Sequence, residues 1–353
     1  VNAASDGSMI TIGNIVQSAN TLDLFKFTAT GTSGLTFGNV NLTTSGTAGH
    51  PSYAGYNQFI LASGGALTQA SGNINAGYIN LAAGTGAVNV GNVTSSSAGT
   101  SSVGNSIDIT SGGNITTGNL NAPSMTLSGA NLTLGMVTSS GTHRGYYSGY
   151  AYVPRLGNYQ YVTDEIHLTA SGTLSTAGNI GSATSAYVSG NGISVAGTIT
   201  GGNSAPNYYT DTVSVAAGTG TLTAGNISAY QVGVSGNTLT TGNINALSGN
   251  LTVSGTNFAT GNLTAAGSLN LTATGLYQPG SAIALSSGSS TSITAPGGID
   301  LTTNAATLSA PYDAYLRSSG GGVRANLTGT SRLNLTAGGP INVTSSAALT
   351  NLY

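Results

Sequence analysis

Short triplets in which one polar residue separates two large apolar ones recur along the whole chain, among them Ile10-Thr11-Ile12, Val88-Asn89-Val90, Ile107-Asp108-Ile109, Leu132-Thr133-Leu134, Leu251-Thr252-Val253, Leu269-Asn270-Leu271, Leu333-Asn334-Leu335 and Ile341-Asn342-Val343. A period of two belongs to a strand, whose successive side chains point to opposite sides. Each triplet therefore predicts a short strand with its outer two side chains in a core and its central Thr, Asn or Asp toward solvent.

A second pattern lies between these strands. Gly-Asn followed by an aliphatic residue occurs eleven times, at Gly13, Gly38, Gly72, Gly91, Gly113, Gly118, Gly178, Gly225, Gly242, Gly249 and Gly261. Gly and Asn take positive φ more readily than other residues, so the step predicts a tight turn feeding a buried strand. Gly72 to Gly91 and Gly242 to Gly261 are both 19 residues apart. Self-similar spacing near twenty predicts a solenoid whose coils stack on their neighbours. With 55 Gly and 4% charged residues, helix is almost excluded. The expected fold is all-β, a parallel β-helix forming one domain over residues 1 to 353.

Composition narrows the function classes. Six basic residues, Lys26, Arg144, Arg155, Arg317, Arg324 and Arg332, against eight acidic ones give a net charge of −2 and no basic stripe, so nucleic acid is not an expected partner. No apolar run reaches the length of a membrane span, and the chain contains no Cys. An uncharged surface of Ser, Thr, Asn and Gly suits an extracellular, matrix-like setting better than a cytoplasmic monomer. The chain opens at Val1 without an initiator Met or leader, as expected of a processed chain or fragment.

Three segments break the rhythm, near residues 43 to 58, 139 to 165 and 201 to 212, and concentrate residues scarce elsewhere. They read as excursions from the coils, and setting aside their 55 residues leaves 298, or about 15 or 16 coils at 19 residues each, an elongated rod. The middle excursion carries Arg144, Tyr146, Tyr147, Tyr150, Tyr152, Arg155, Tyr159 and Tyr161. Aromatic rings stack on sugar faces and Arg pairs with acidic groups, so these eight are candidate contacts for a glycan or a neighbouring subunit. Aromatic clusters also pack under long loops as satellite cores, and that reading stays open.

The strand pattern already runs at Met9, Ile10 and Ile12 and continues through Leu349, Leu352 and Tyr353, with no capping segment outside it. A solenoid end exposes unpaired backbone groups. Either the chain belongs to a longer solenoid, or these six residues contact other copies end to end and build a homopolymer.

Chemistry-bearing residues are sparse. Asp23, Asp108 and Asp300 are each the centre of an apolar-Asp-apolar triplet and read as outward polar residues too far apart to converge. Asp164, Glu165 and His167 form the one dense acid and imidazole group, in which strand alternation lets only Glu165 and His167 share a side. No catalytic residue, metal or cofactor is assigned. Asn-x-Ser/Thr recurs at Asn41, Asn92, Asn131, Asn250, Asn262, Asn270, Asn326, Asn334 and Asn342, either as glycosylation acceptors or as hydrogen-bonded ladders between coils. Mixed outward residues argue against the regular Thr rows of an ice-binding surface.

Strings such as Ile107-Asp108-Ile109-Thr110-Ser111-Gly112-Gly113-Asn114-Ile115 and Ile244-Asn245-Ala246, with their Gly-Asn turns, resemble the secreted filamentous haemagglutinin-like adhesins of Gram-negative bacteria. The resemblance covers most of the chain, and the Asn-Pro-Asn-Gly type of signature of that family's secretion domain is absent, since no Asn-Pro pair occurs. It implies a right-handed parallel β-helix, export across the outer membrane, and a role in adhesion or matrix. The function expected is an extracellular structural protein that stacks end to end into a fibre. The alternatives are a glycan-binding segment of a longer adhesin and a polysaccharide-acting enzyme or tailspike.

Overall fold

The computed structural model describes residues 2–3, 9–16, 24–29, 32, 34–42, 58–95, 105–139, 141, 150–153, 158–161, 164–203, 211–329, 332–345 and 351–352. They contain no helix, and apart from one hairpin the paired strands run parallel in three long sheets, as a parallel β-helix requires. Two units divide the chain, Val1–Val188 and Ser189–Tyr353.

In the first unit every turn of chain lays one strand on each of three faces. Face one stacks Leu24–Ala29, Gln58–Ser63, Tyr78–Ala83, Ser106–Ser111, Ser124–Gly129 and Ile166–Ala170. Face two stacks Ile10–Ile12, Leu35–Phe37, Leu67–Gln69, Val88–Val90, Ile115–Thr117, Leu132–Leu134 and Leu174–Thr176. Face three runs from Ile15–Val16 through Ile74–Ala76 and Val93–Ser95 to Ile180–Ser182.

Register places like on like. Phe59, Ile79, Ile107, Met125 and Ile166 form one inward column, Leu67, Val88, Ile115, Leu132 and Leu174 a second, and Ile74, Val93, Leu120, Val137 and Ile180 a third, all essentially without solvent exposure. Apolar burial summed over these columns is the main stabilising contribution, at about 25 cal/mol per Å² removed from water.

The second unit repeats the scheme, with face-one columns Val213, Val232, Leu251, Leu269 and Val215, Val234, Val253, Leu271, Ile293, Leu316. Thr291 interrupts the first column between Leu269 and Ala314, and its buried hydroxyl donates to Ser287 Oγ at 2.9 Å.

Toward its end this unit changes section. Val323–Thr328 pairs at its start with Gly298–Asp300 on face two and at its finish with Thr307–Ser309 on face three, and Ile341–Ser345 follows it along its length. Two faces have straightened into one continuous strand.

The Gly-Asn turns depart from expectation. Of the eleven glycines, only Gly72 has positive φ, at 91°. What demands glycine at several of the others is the preceding coil: a Cβ at Gly118 or Gly261 would meet Asn92 Oδ1 or Asn243 Oδ1 at 2.5 Å or less. Asp108 also corrects an expectation, since it holds an outward position in its strand yet is only 8% exposed.

Candidate functional site

Most Gly-Asn turns hand a side-chain acceptor to the next coil. Asn14 Oδ1 accepts from the Asn39 backbone N–H and Asn39 Oδ1 from that of Asn73, both at 2.9 Å. Asn92 Oδ1 accepts from Asn119 N at 2.8 Å, and Asn119 Oδ1 from Met136 N at 2.9 Å. In the second unit the series runs Asn226, Asn243, Asn262 and ends on the Ala284 N–H, with bonds of 2.8 to 2.9 Å. Of the two readings of the Asn-x-Ser/Thr sites, the ladder is the one seen at Asn92, Asn131, Asn250 and Asn262.

The Tyr-rich segment contributes the one antiparallel pair among the described residues, Tyr150–Val153 with Asn158–Tyr161. Its register sets position 150 opposite 161 and position 152 opposite 159, so Tyr faces Tyr in sequence at two successive non-adjacent rungs. Arg144, Tyr146, Tyr147 and Arg155 lie outside the described residues, as does Asp23.

Glu165 and His167 do share a side, with Glu165 Oε2 and His167 Nε2 2.9 Å apart, while Asp164 is buried apart from them. Tyr187, which no pattern in the sequence singles out, stacks on the His167 ring with centroids 4.8 Å apart. Burial, and then the Glu165 carboxylate, push the Tyr187 phenol above its usual pKa, so the group supplies hydrogen bonds and a flat aromatic edge rather than a phenolate. No trio of His, Cys, Asp and Glu placed to hold a metal occurs among the described residues.

A concavity among the described residues lies in the second unit, where face two approaches its merger with face three. It is an open groove of about 400 Å³ lined by Leu276, Gly297, Gly298, Ile299, Asp300, Gly322, Arg324, Pro340 and Asn342. Asp300, Arg324 and Asn342 stand in register on three successive coils. Asp300 is not the plain outward residue the triplet pattern predicts. Its Oδ1 accepts from Thr302 N and Oγ1, both at 2.9 Å, and from Thr303 N at 3.1 Å, and its Oδ2 accepts from Thr303 Oγ1 at 2.6 Å and Arg324 Nη1 at 3.4 Å. Burial by itself would raise the Asp300 pKa, but the hydrogen bonds from Thr303 and Thr302 favour the carboxylate more and bring it down to about 2. The signal for the carboxylate's turn was present in the sequence as Asp300-Leu301-Thr302-Thr303, in which two hydroxyl residues follow the Asp at the spacing of a side-chain turn.

The described ends of the two units present open strand edges. In the first, Ile10–Ile12 and Ile15–Val16 pair on one side only among the described residues, and Met9 and Val16 are 67% and 63% exposed. In the second, Ile341–Ser345 pairs only with Val323–Thr328 among the described residues, and Ile341 is 53% exposed. Leu352 sits in Asn351–Leu352, paired to Arg332–Ala337, while Leu349 and Tyr353 lie outside the described residues. Among the described residues no helix is long and apolar enough to cross a membrane. No family model matches the chain, and neither a curated protein nor a solved structure matches it.

Proposed function

We propose that this chain is a structural β-solenoid of the extracellular space that joins end to end with copies of itself into a fibre of the cell surface or matrix. The observation that carries the reading is the chemistry of the open edges. Soluble proteins blunt an exposed strand edge with charge, Pro or a bulge. Here the edge strands are Ile10-Thr11-Ile12, Ile15-Val16 and Ile341-Asn342-Val343-Thr344-Ser345, with no charged residue and no Pro in any of them. A parallel edge of this kind is completed by another coil of the same pattern, and a second copy supplies one. Contact between unlike surfaces that does not close into a ring propagates as a filament. The sparse charge and the resemblance to filamentous haemagglutinin-like adhesins agree with an extracellular setting, and no residue is given a catalytic role.

Negative-stain electron microscopy of the purified chain over a range of concentrations tests this. Unbranched fibres that lengthen with concentration are expected, and discrete particles at every concentration would overturn the assembly.

The paired tyrosine positions of the hairpin favour a second reading, a segment of a longer adhesin that binds glycans or host surfaces there. It predicts that binding to a glycan array is lost when Tyr150 and Tyr152 are replaced by Ala.

A further inference from the structure

The groove at the end of face two carries an inference independent of assembly. We propose that it is a binding site for a neutral saccharide, with a pyranose ring lying across the coils between Leu276 and the Asp300, Arg324, Asn342 row.

The argument begins with what keeps the groove open. Its floor is made where successive coils carry no side chain, at Gly297-Gly298 and at Gly322, with Pro340 lining the next coil. The coils are too close for anything larger: a Cβ on Gly297 would meet Leu276 N at 2.7 Å, and one on Gly322 would meet Pro340 O at 2.5 Å. Gly298 has φ of 128°, a conformation that side chains disfavour. Leu276 forms an apolar wall and is 50% exposed, which is unusual among the large apolar residues of this chain. Flat backbone beside one exposed aliphatic side chain fits the C–H face of a sugar ring.

The opposite wall supplies the polar partners. Asp300 is held by four hydrogen bonds from Thr302 and Thr303, so both its oxygens are engaged and it serves to orient Arg324 rather than to accept from a ligand. Arg324 carries five N–H donors in a planar fork, and its hydrogen bond to Asp300 uses one of them. Its side chain is 55% exposed. One coil further, about 4.8 Å along the axis, Asn342 is exposed and brings both a donor and an acceptor. The Asp300 and Arg324 charges offset each other, so the site favours a neutral ligand rich in hydroxyl oxygens over an anion. Fixed donors over an apolar floor are the recognition pattern of small-ligand sites in general.

Isothermal titration of the full chain with a panel of neutral hexaoses (cello-, malto-, xylo- and laminari-type) and with hexagalacturonate provides the test. Binding of at least one neutral hexaose is expected, weakened about tenfold or more by Arg324→Gln and by Leu276→Ser, with circular dichroism and melting temperature as controls for folding. Tyr315→Phe, on face one and outside the groove, is expected to leave binding unchanged. No binding of any neutral hexaose at millimolar concentration would overturn the proposal. So would binding that both groove variants leave intact, and so would binding of hexagalacturonate alone.

Discussion

Asn243 and Gly261 are coupled across one coil: the Asn243 Oδ1 accepts a 2.9 Å hydrogen bond from the N–H of Asn262, and a Cβ on Gly261 would stand 2.5 Å from that same oxygen. The amide can reach its donor only because the residue before the donor has no side chain. Gly and Asn recur together where one Gly-Asn turn stacks on the next, and the series ends at Asn262, whose donor Ala284 follows Ile283.

Asn243→Ala is expected to destabilise the chain by about 1 kcal/mol through the lost hydrogen bond. Gly261→Ala is expected to cost about 1–3 kcal/mol by overpacking. Combined, the two are expected to cost less than their sum, because removing the amide removes the nearest of the atoms that crowd the new methyl. Denaturant melts of the two single variants and the double variant measure this coupling, and strict additivity would contradict it.

Tyr277 is fully buried, packs edge-on against Phe258 with ring centroids 5.1 Å apart, and its hydroxyl has no hydrogen-bond partner among the described residues. Burial drives its pKa far above the ordinary phenol value. Tyr277→Phe removes an unsatisfied polar atom and keeps the ring, so it is expected to stabilise the chain by about 1 kcal/mol or more, read as a raised denaturation midpoint. A lowered midpoint would show that the hydroxyl has a partner.

Asp300 makes stability depend on pH in a defined direction. Its folded pKa of about 2 lies below the ordinary aspartate value of 3.8, so its contribution is fully present above about pH 4. Below that the unfolded carboxyl takes up a proton the folded one resists, and the contribution is lost as pH falls through about 2. In Asp300→Asn this part of the acid dependence is expected to disappear, as measured by urea melts at pH 5, 4, 3 and 2.

Ile341→Lys places a charge on the exposed edge strand without entering the core, since Ile341 is half exposed. Fibre formation is expected to fall while the melting temperature of the unassembled chain stays within a degree or two. Fibres unchanged in this variant would place the contact elsewhere.

The sequence by itself determined the all-β class, the parallel stacking, the parity that sets Glu165 beside His167, and the turn positions from which Asn ladders grow. These follow from local rules: alternation decides which way a side chain points, and an Asn after Gly lands at a corner wherever the coil length repeats. Tertiary structure decided which residues meet between coils. Asn92 reaches a partner 27 residues ahead, Asn119 one 17 ahead, and Asn131 one 42 ahead, because excursions of different length separate equivalent corners. For the same reason Tyr187 on His167, Arg324 beside Asp300 and the glycine floor under Leu276 were not legible in the chain. The identity of a stacked neighbour depends on the summed length of everything between two coils, and spacing in the sequence does not measure that until the coils are closed.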